Sequence, residues 1–322
     1  MRTVLQELYT HAAHGRAVPE KLASDLVAAL PGSLLDLFAA ARGAAQKAGA
    51  AYFTCGIINA KSGGCRENCS FCAQSQYHRG NTPVYPLVSP DALLRRAEEL
   101  VAAKADRMGI VTSGGAPSSK DFEAICEAAA YITKRVDIRL CASLGILSRE
   151  QGIALKQAGF SRYHHNLETA ASYYPQVCTT HDYDLRVETI RNAKSAGLQV
   201  CSGGIFGLGE TWTHRLELAS TLRELEVDSM PVNFLMPQQG TPLANRSLLP
   251  PEEALAVISI FRLMNPARGV VICGGRELVL RGWDNLVFSA GATGIMLGNY
   301  LTARGSEMDA DLAMLKTLGI RP

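Results

Sequence analysis

From about residue 51 onward, short apolar runs alternate with longer segments that begin at capping residues or prolines and end near glycines. Such runs are typical of buried strands, and the longer segments carry the start and stop signals of helices. The apolar runs predict strands at residues 51–58, 108–111, 137–142, 161–165, 198–202, 229–235, 270–272 and 292–297. Eight strands alternating with helices over 322 residues predict an α/β fold, a (β/α)8 TIM-type barrel.

The first 50 residues carry helix signals only. Helices are predicted near residues 3–8, 19–30 and 33–48. Pro31 and Gly32 break the second helix, and Ser33 caps the third. Because no residue in this stretch suggests chemistry, we predict an N-terminal helical extension at 1–50 and a barrel domain at 51–322.

An open, doubly wound sheet would show the same alternation of strands and helices. Glycines between Gly203 and Gly209 would then mark a dinucleotide site, but their spacing does not fit G-x-G-x-x-G. The barrel is therefore the preferred fold.

Composition narrows the class of protein. With 47% hydrophobic and 19% charged residues, the chain can bury a large core. Its net charge of +2 gives no reason to expect nucleic acid or an anionic membrane as a partner. No run of 18 apolar residues and no secretory signal core occur, so we predict a cytoplasmic protein whose nine cysteines are ligands, free thiols or core residues.

Three of these cysteines, Cys65, Cys69 and Cys72, lie within eight residues and are spaced C-x3-C-x2-C. Thiolates this close can bind one soft metal centre, and they are the usual ligands of iron–sulfur clusters. Structural zinc is the alternative, but it takes four ligands, commonly two distant C-x2-C pairs, and no second pair follows at that spacing. On a four-iron cluster, three cysteines would leave one iron open, as catalysis requires.

A barrel places its active site at the carboxyl ends of its strands, and polar residues accumulate there in this sequence. The predicted strand ends carry Thr112, Ser113, Cys141, Asn166, Glu168, Cys201, Asn233 and Cys273. Asn166 and Glu168 are two residues apart and share a face, so they suit a ribose diol and a polar amide or urea group. The adjacent His164 and His165 would face opposite ways, so we expect one site not to use both.

A second regularity joins four cysteines on alternate strands. Cys55, Cys141, Cys201 and Cys273 belong to predicted strands one, three, five and seven, whose side chains share layers inside a barrel. Core packing is the plain alternative for any single cysteine. For the last three together we predict a second metal centre, with Cys55 as a weaker candidate. The remaining two cysteines, Cys126 and Cys178, are interpreted as incidental.

Several longer motifs of the sequence resemble those of a known protein family. The three-cysteine loop followed by Ala73-Gln74-Ser75 resembles the radical S-adenosylmethionine enzymes and, within them, the biotin synthase family. The motifs YHHNLE at 163–168, VCSGGIFGLGE at 200–210, PVN at 231–233 and GRE at 275–277 are also similar to that family. The similarity runs from about residue 51 to the C-terminus.

The resemblance implies that the cysteine loop holds a [4Fe–4S] cluster, whose open iron is chelated by S-adenosylmethionine. Cleavage of the cosubstrate gives a 5′-deoxyadenosyl radical that abstracts hydrogens from dethiobiotin, and an auxiliary cluster supplies the inserted sulfur. Ser113, Gly114 and Gly115 would line the methionine end of the cosubstrate, and Glu168 would hold its ribose. Asn166 and the strand-six residue Asn233 would bind the ureido ring of dethiobiotin.

The sequence departs from that family at the auxiliary cluster. The family commonly holds a [2Fe–2S] cluster with three cysteines and an arginine, and Cys141 and Cys201 match two of these cysteines. The third cysteine position is Thr112 here, and the arginine position is Val271. Cys273 follows two residues later on the same strand face. We therefore predict a differently ligated auxiliary cluster, [2Fe–2S] or of another nuclearity.

The resemblance further implies dethiobiotin as substrate, an electron donor such as flavodoxin or ferredoxin, and a homodimer. Two other interpretations stay open. A radical enzyme of the hydrogenase-maturase or methylornithine-synthase type would use the same barrel on another substrate. A non-catalytic iron–sulfur or sulfur-carrier protein would not cleave S-adenosylmethionine.

Overall fold

The computed structural model describes residues 2–28, 34–301 and 305–320. The strands are β1 Phe53–Lys61, β2 Arg107–Thr112, β3 Arg139–Ser143, β4 Phe160–His164, β5 Gln199–Cys201, β6 Gly204–Phe206, β7 Ser229–Phe234, β8 Gly269–Ile272 and β9 Gly294–Met296. Every predicted strand is therefore present, with its ends moved by a few residues.

The helices follow the predicted order. They are α1 Arg2–Ala13, α2 Glu20–Ala28, α3 Leu34–Lys47, α4 Pro90–Ala102, α5 Ser119–Thr133, α6 Arg149–Gln157, α7 Tyr183–Ser195, α8 Trp212–Glu224, α9 Pro251–Met264, α10 Arg276–Leu280, α11 Leu286–Ser289 and α12 Met308–Thr317. Ser148 caps α6, because its hydroxyl accepts from Gln151 N while the Gln151 side chain accepts from Ser148 N. The short α11 and a 3-10 turn at Tyr174–Gln176 were not predicted. The predicted break at Pro31 and Gly32 and the cap at Ser33 lie outside the described residues.

All strands are parallel, and they close into a barrel. The sheet order is β5-β4-β3-β2-β1-β9-β8-β7-β6, and β5 also pairs with β7. The segments β5 and β6 thus share the fifth of eight strand positions. The prediction ended this strand at residue 202, but the chain resumes pairing with β7 at Gly204. Only glycine fits at Gly203, because a Cβ there would lie 2.0 Å from Pro231 O on β7.

The N-terminal helices pack on the outside of the barrel. α3 packs against α9 and α1, and it buries residues such as Leu37 and Phe38. Val18 N donates to Leu263 O at 2.9 Å, at the end of α9. Buried residues of α1 to α3 join the same hydrophobic cluster as the barrel helices. The division of the chain at residue 50 stays a prediction. Across the described ranges, we find no helix long and apolar enough to cross a membrane.

Candidate active site

A cavity of about 680 Å³ opens inside the barrel. Alternate residues of each strand line it, such as Phe53, Cys55 and Ile57 on β1, because successive side chains of a strand point to opposite faces. The site residues predicted from the sequence all line this one cavity: Cys55, Cys65, Cys69, Cys72, Ser113, Gly114, Gly115, Cys141, Asn166, Glu168, Cys201, Asn233 and Cys273. Their individual roles remain predictions.

The cysteine loop follows β1 and is folded by its own backbone. Cys65 N donates to Gln74 O at 3.0 Å, and Gln76 N donates back to Cys65 O at 2.8 Å. Cys72 N donates to Cys69 O at 3.0 Å. The three thiols therefore lie on one tight turn beside the cavity. Soft sulfur ligands from one short turn fit an iron–sulfur cluster.

Residues 113–115 lie against this loop. The Ser113 hydroxyl donates to Gly63 O at 2.8 Å, and a Cβ at Gly115 would lie 2.9 Å from Glu67 Oε1. A Cβ at Gly145 would lie 2.2 Å from Gly115 O, so glycines let three backbone segments approach closely. This narrow ledge beside the three thiols suits an extended polar group such as the methionine end of S-adenosylmethionine.

Glu168 is held in an unusual backbone conformation just after β4. Its φ is +70°, a left-handed region that non-glycine residues rarely adopt and that often marks a functional site. Arg186 Nη1 lies 3.4 Å from Glu168 Oε1 and donates to Asn166 O at 2.8 Å. Burial alone would lower the pKa of Arg186, but the Glu168 carboxylate and Tyr174 outweigh burial and raise it. The Glu168 carboxylate is therefore held at the cavity wall against a buried guanidinium.

Two amides are fixed by backbone groups of neighbouring strands. Asn166 Oδ1 accepts from Gly203 N at 3.2 Å. Asn233 Nδ2 donates to Gly204 O at 3.2 Å, and its Oδ1 accepts from Gly274 N at 3.1 Å. Both side chains thus have defined positions across the cavity, as a small polar ring would require.

The four cysteines of alternate strands lie in the inner wall. Burial raises the pKa of Cys55 and of Cys141 to about 12 and raises that of Cys273 well above the ordinary value. Burial would also raise the pKa of Cys201, but a hydrogen bond with His164 and the charges of His164 and Arg162 together outweigh burial and lower it to about 7. The thiols of Cys55 and Cys201 also raise the pKa of Cys141 and of Cys273, and all four residues line the same cavity. Such a donor set fits a metal centre that takes thiolates on binding.

The departures from the family pattern lie in the same wall. Thr112 Oγ1 is buried and has no hydrogen-bond partner within the described residues. Val271 is buried in an apolar cluster with Cys273 and Met296, with Cys55 packed against it. Neither Thr112 nor Val271 offers a ligand for soft iron, whereas Cys55 and Cys273 belong to the same cluster as Val271.

Sequence reasoning missed the surroundings of Cys178. This cysteine was interpreted as incidental, but it is 4% exposed and packs with Cys69. A hydrogen bond with Cys178, together with burial, raises the pKa of Cys69. Cys178 Sγ lies 3.4 Å from His181 Nδ1, which donates to Glu67 Oε2 at 2.7 Å. The only sequence signal was a C-x2-H spacing in the loop after β4. Cys126 lies on α5 and is half-buried.

The two histidines at the end of β4 do not separate as predicted. Both His164 and His165 line the cavity, because His164 is the last residue of the strand and the alternation stops there. His164 contacts Cys201, while His165 Nε2 is buried without a partner in the described part of the chain. Burial lowers the pKa of His165 well below its usual value, so this imidazole is neutral.

Comparisons with known proteins agree with this geometry. The Radical SAM superfamily profile matches residues 60–222, and the Biotin and Thiamin Synthesis associated domain matches residues 231–321. Among solved structures, methylornithine synthase superposes with a TM-score of 0.83 at 20% identity, over 98% of this chain and 97% of that one. An FeFe-hydrogenase maturase from Carboxydothermus hydrogenoformans gives 0.83 at 16% identity, over 99% and 79%. At these identities the likeness shows the fold alone.

The barrel and its cysteine loop define the class as a radical S-adenosylmethionine protein. A biotin synthase of Nitratidesulfovibrio vulgaris strain Miyazaki F is 55% identical, over 91% of this chain and 84% of its own length. That of Syntrophus aciditrophicus is 51% identical, over 82% and 81%. The chain belongs to the biotin synthase family. Membership implies a [4Fe–4S] cluster, S-adenosylmethionine and an auxiliary iron–sulfur cluster, and the donor sets described above fit all three.

Proposed function

We propose that this chain catalyses the biotin synthase reaction, the radical insertion of sulfur into dethiobiotin to form biotin. One observation carries the proposal: a single cavity brings the three-cysteine loop, the Asn166 and Glu168 pair, and four strand cysteines together. Family membership supports the same reaction. Because the two carbons of dethiobiotin that react are unactivated, no side-chain base could remove their hydrogens.

When bound, the two clusters and S-adenosylmethionine supply the electron, the 5′-deoxyadenosyl radical and the sulfur. The residues of this chain would bind and orient the cluster, the cosubstrate and the substrate. Cys65, Cys69 and Cys72 would hold the [4Fe–4S] cluster, and residues 113–115 would line the methionine end of the cosubstrate. The fixed carboxylate of Glu168 would accept hydrogen bonds from the ribose hydroxyls.

Two side-chain amides would bind the substrate at its end of the cavity. Asn166 and Asn233 would bind the ureido ring of dethiobiotin, whose N–H and C=O groups match an amide's acceptor and donor. Apolar wall residues such as Phe53, Ile57 and Met296 would exclude water from the reacting carbons.

The auxiliary cluster would lie on Cys141, Cys201 and Cys273, with Cys55 as a fourth thiolate. The close electrostatic coupling of these thiols supports the set. Four thiolates could hold a [2Fe–2S] cluster or a larger one, so the nuclearity is left to iron analysis. An electron donor such as flavodoxin or ferredoxin, a homodimer and a cytoplasmic location complete the proposal.

Iron and sulfide content after anaerobic reconstitution tests the proposal. We would compare the wild-type chain with a variant in which Cys65, Cys69 and Cys72 are all alanine. A cluster retained by the variant would be the auxiliary one, and its iron count would give the nuclearity. A variant that holds no iron would have lost the sulfur source and would contradict the proposed reaction. Calorimetric binding of dethiobiotin then separates this function from a related radical enzyme with another substrate.

A further inference from the structure

Two buried arginines of the cavity wall have no role in the reaction described so far. Arg107 is the first residue of β2, and Arg162 lies in the middle of β4. They are 5% and 8% exposed, and both line the cavity. Arginine is almost never buried to this extent unless it is paired.

Their partners are few and neutral. Arg107 donates to the Ser161 hydroxyl at 2.9 Å and to Gln199 Oε1 at 2.8 Å. Arg162 Nη2 reaches the same Gln199 oxygen at 3.5 Å, and Arg162 Nε is buried with no partner among the described residues. Within those residues, neither guanidinium has a carboxylate oxygen within 4 Å, whereas Arg186 faces Glu168.

Two other buried arginines, Arg215 and Arg262, are satisfied. Arg215 pairs with Glu210 at 2.8 Å and with Glu253 at 2.6 Å. Arg262 has no carboxylate, but its three nitrogens all donate, to backbone carbonyls and to the Thr293 hydroxyl. Arg162 differs from Arg215 and Arg262, because it has neither a counter-charge nor a full set of acceptors.

The two arginines also repel each other. Burial and, after it, the charge of Arg162 lower the pKa of Arg107 to about 10. Two like charges that share one amide oxygen in a barrel interior are costly, and they imply an anion that the chain does not itself provide.

The thiols of the inner wall lie beside these cations. In the sheet register, Cys141 pairs with Arg162, and Cys55 pairs with Arg107. Both arginines line the same cavity as these two thiols and as Cys201. The missing negative charge is therefore expected where the cysteines converge.

We infer that Arg107 and Arg162 are positioning residues that supply the counter-charge to an anionic iron–sulfur cluster on the strand cysteines, with Arg162 Nε as the donor left free for a cluster sulfur. The inference rests on the proposed function, since it requires the auxiliary cluster. A cation beside an anionic cluster stabilises its reduced, more negative state and raises its reduction potential. A hydrogen bond to a cluster sulfur also raises the reduction potential.

The test uses the full chain with Cys65, Cys69 and Cys72 changed to alanine, so that only auxiliary iron is counted. Into this parent we would introduce Arg162→Met, Arg162→Lys or Arg107→Met. Arg139→Met is the matched control, because Arg139 pairs with Arg107 in the register of β3 but is exposed and bound to Asp106 at 3.1 Å. Bound iron, the absorbance spectrum and the reduction potential of the cluster are measured after anaerobic reconstitution.

We expect Arg162→Met to lose at least half of the auxiliary iron and to shift the remaining cluster to a lower potential, with Arg107→Met showing a smaller loss. Arg162→Lys should restore the bound iron and most of the reduction potential, because lysine keeps the positive charge. The restoration of the potential should be incomplete, because lysine lacks the Nε donor. Arg139→Met should match the parent. In the cluster-free protein, Arg162→Met should melt at the same temperature as the parent or higher, because an uncompensated buried charge is removed.

Three results would overturn the inference. Arg162→Met could keep its iron and its potential, or the cluster-free variant could melt well below the parent, which would assign the arginine to the fold. Alternatively, iron could be unchanged while dethiobiotin binds at least tenfold more weakly, which would assign the arginine to the substrate carboxylate. A parent without any iron would instead contradict the auxiliary cluster itself.

Discussion

The two groups of cysteines in this barrel are built in opposite ways. Cys65, Cys69 and Cys72 share one loop whose backbone hydrogen bonds close over a few residues. The strand cysteines, of which Cys201 and Cys273 are the most deeply set, meet only because a closed sheet brings distant strands together. A local ligand set depends on loop geometry, whereas a distributed set depends on the register of the whole barrel.

The largest effect is expected from the loop. Changing Cys69 to alanine removes one of only three thiolates, so the cosubstrate loses the iron that it would chelate. Cleavage of S-adenosylmethionine should fall by about a thousandfold or more. Formation of 5′-deoxyadenosine by the reduced protein is the measurement. Cys126→Ala, which changes a half-buried thiol on α5, is the control and should retain full cleavage.

Substitution of a strand cysteine should impair a different step of the reaction, the insertion of sulfur. In Cys273→Ala, cleavage of S-adenosylmethionine should stay within about twofold of wild type, while biotin yield should fall to about a tenth or less. The reason is that, in the proposed function, the sulfur source and the radical source would have separate ligands. Biotin and 5′-deoxyadenosine are quantified in the same reaction. Unchanged auxiliary-cluster absorbance together with an unchanged biotin yield would exclude Cys273 as a ligand.

The same contrast explains what the sequence could predict. Spacing alone predicts Cys65, Cys69 and Cys72 as ligands, because residues this near in sequence need no knowledge of the fold. Alternation of strands and helices gave the barrel, and the barrel then placed Cys141 and Cys201 near one another. It could not show that β6 continues the fifth strand, since that depends on the contact between Gly203 and Pro231 O.

Three further features could not be predicted from the sequence, because each depends on the tertiary structure. Arg162 would be taken from the sequence as a solvent-facing strand residue, yet closure of the barrel buries it. Cys178 belongs to a loop with no regular period, so only packing against Cys69 reveals it. His165 joins the cavity because β4 has already ended. In each case the feature depends on where a strand ends or on a neighbour from another part of the chain.

A smaller effect is expected at the cosubstrate's ribose. Glu168→Gln keeps the shape of the side chain but removes the charge that faces Arg186. The dissociation constant for S-adenosylmethionine should rise about tenfold, which corresponds to about 1.4 kcal/mol. Equilibrium binding to the anaerobic protein measures it.

Glu226→Gln is the matched control for Glu168→Gln. Glu226 is also a glutamate at positive φ, +50°, but it is exposed and lies 3.4 Å from Lys194. Its substitution should leave binding unchanged. Equal binding of the cosubstrate by both variants would show that Glu168 does not bind the ribose.

The smallest effect should come from Cys178, which touches the loop without belonging to it. Cys178→Ala removes the thiol next to Cys69, and the expected loss is about 1 kcal/mol or less in the free energy of unfolding. Iron bound by the loop should stay at the wild-type level, because the loop keeps its backbone hydrogen bonds and its contacts with Thr179, Thr180 and His181. Urea unfolding and iron analysis of the reconstituted variant measure both quantities. If the loop iron instead fell by half or more, the local set would depend on a distant residue as the strand set does, and the contrast between the two regions would no longer hold.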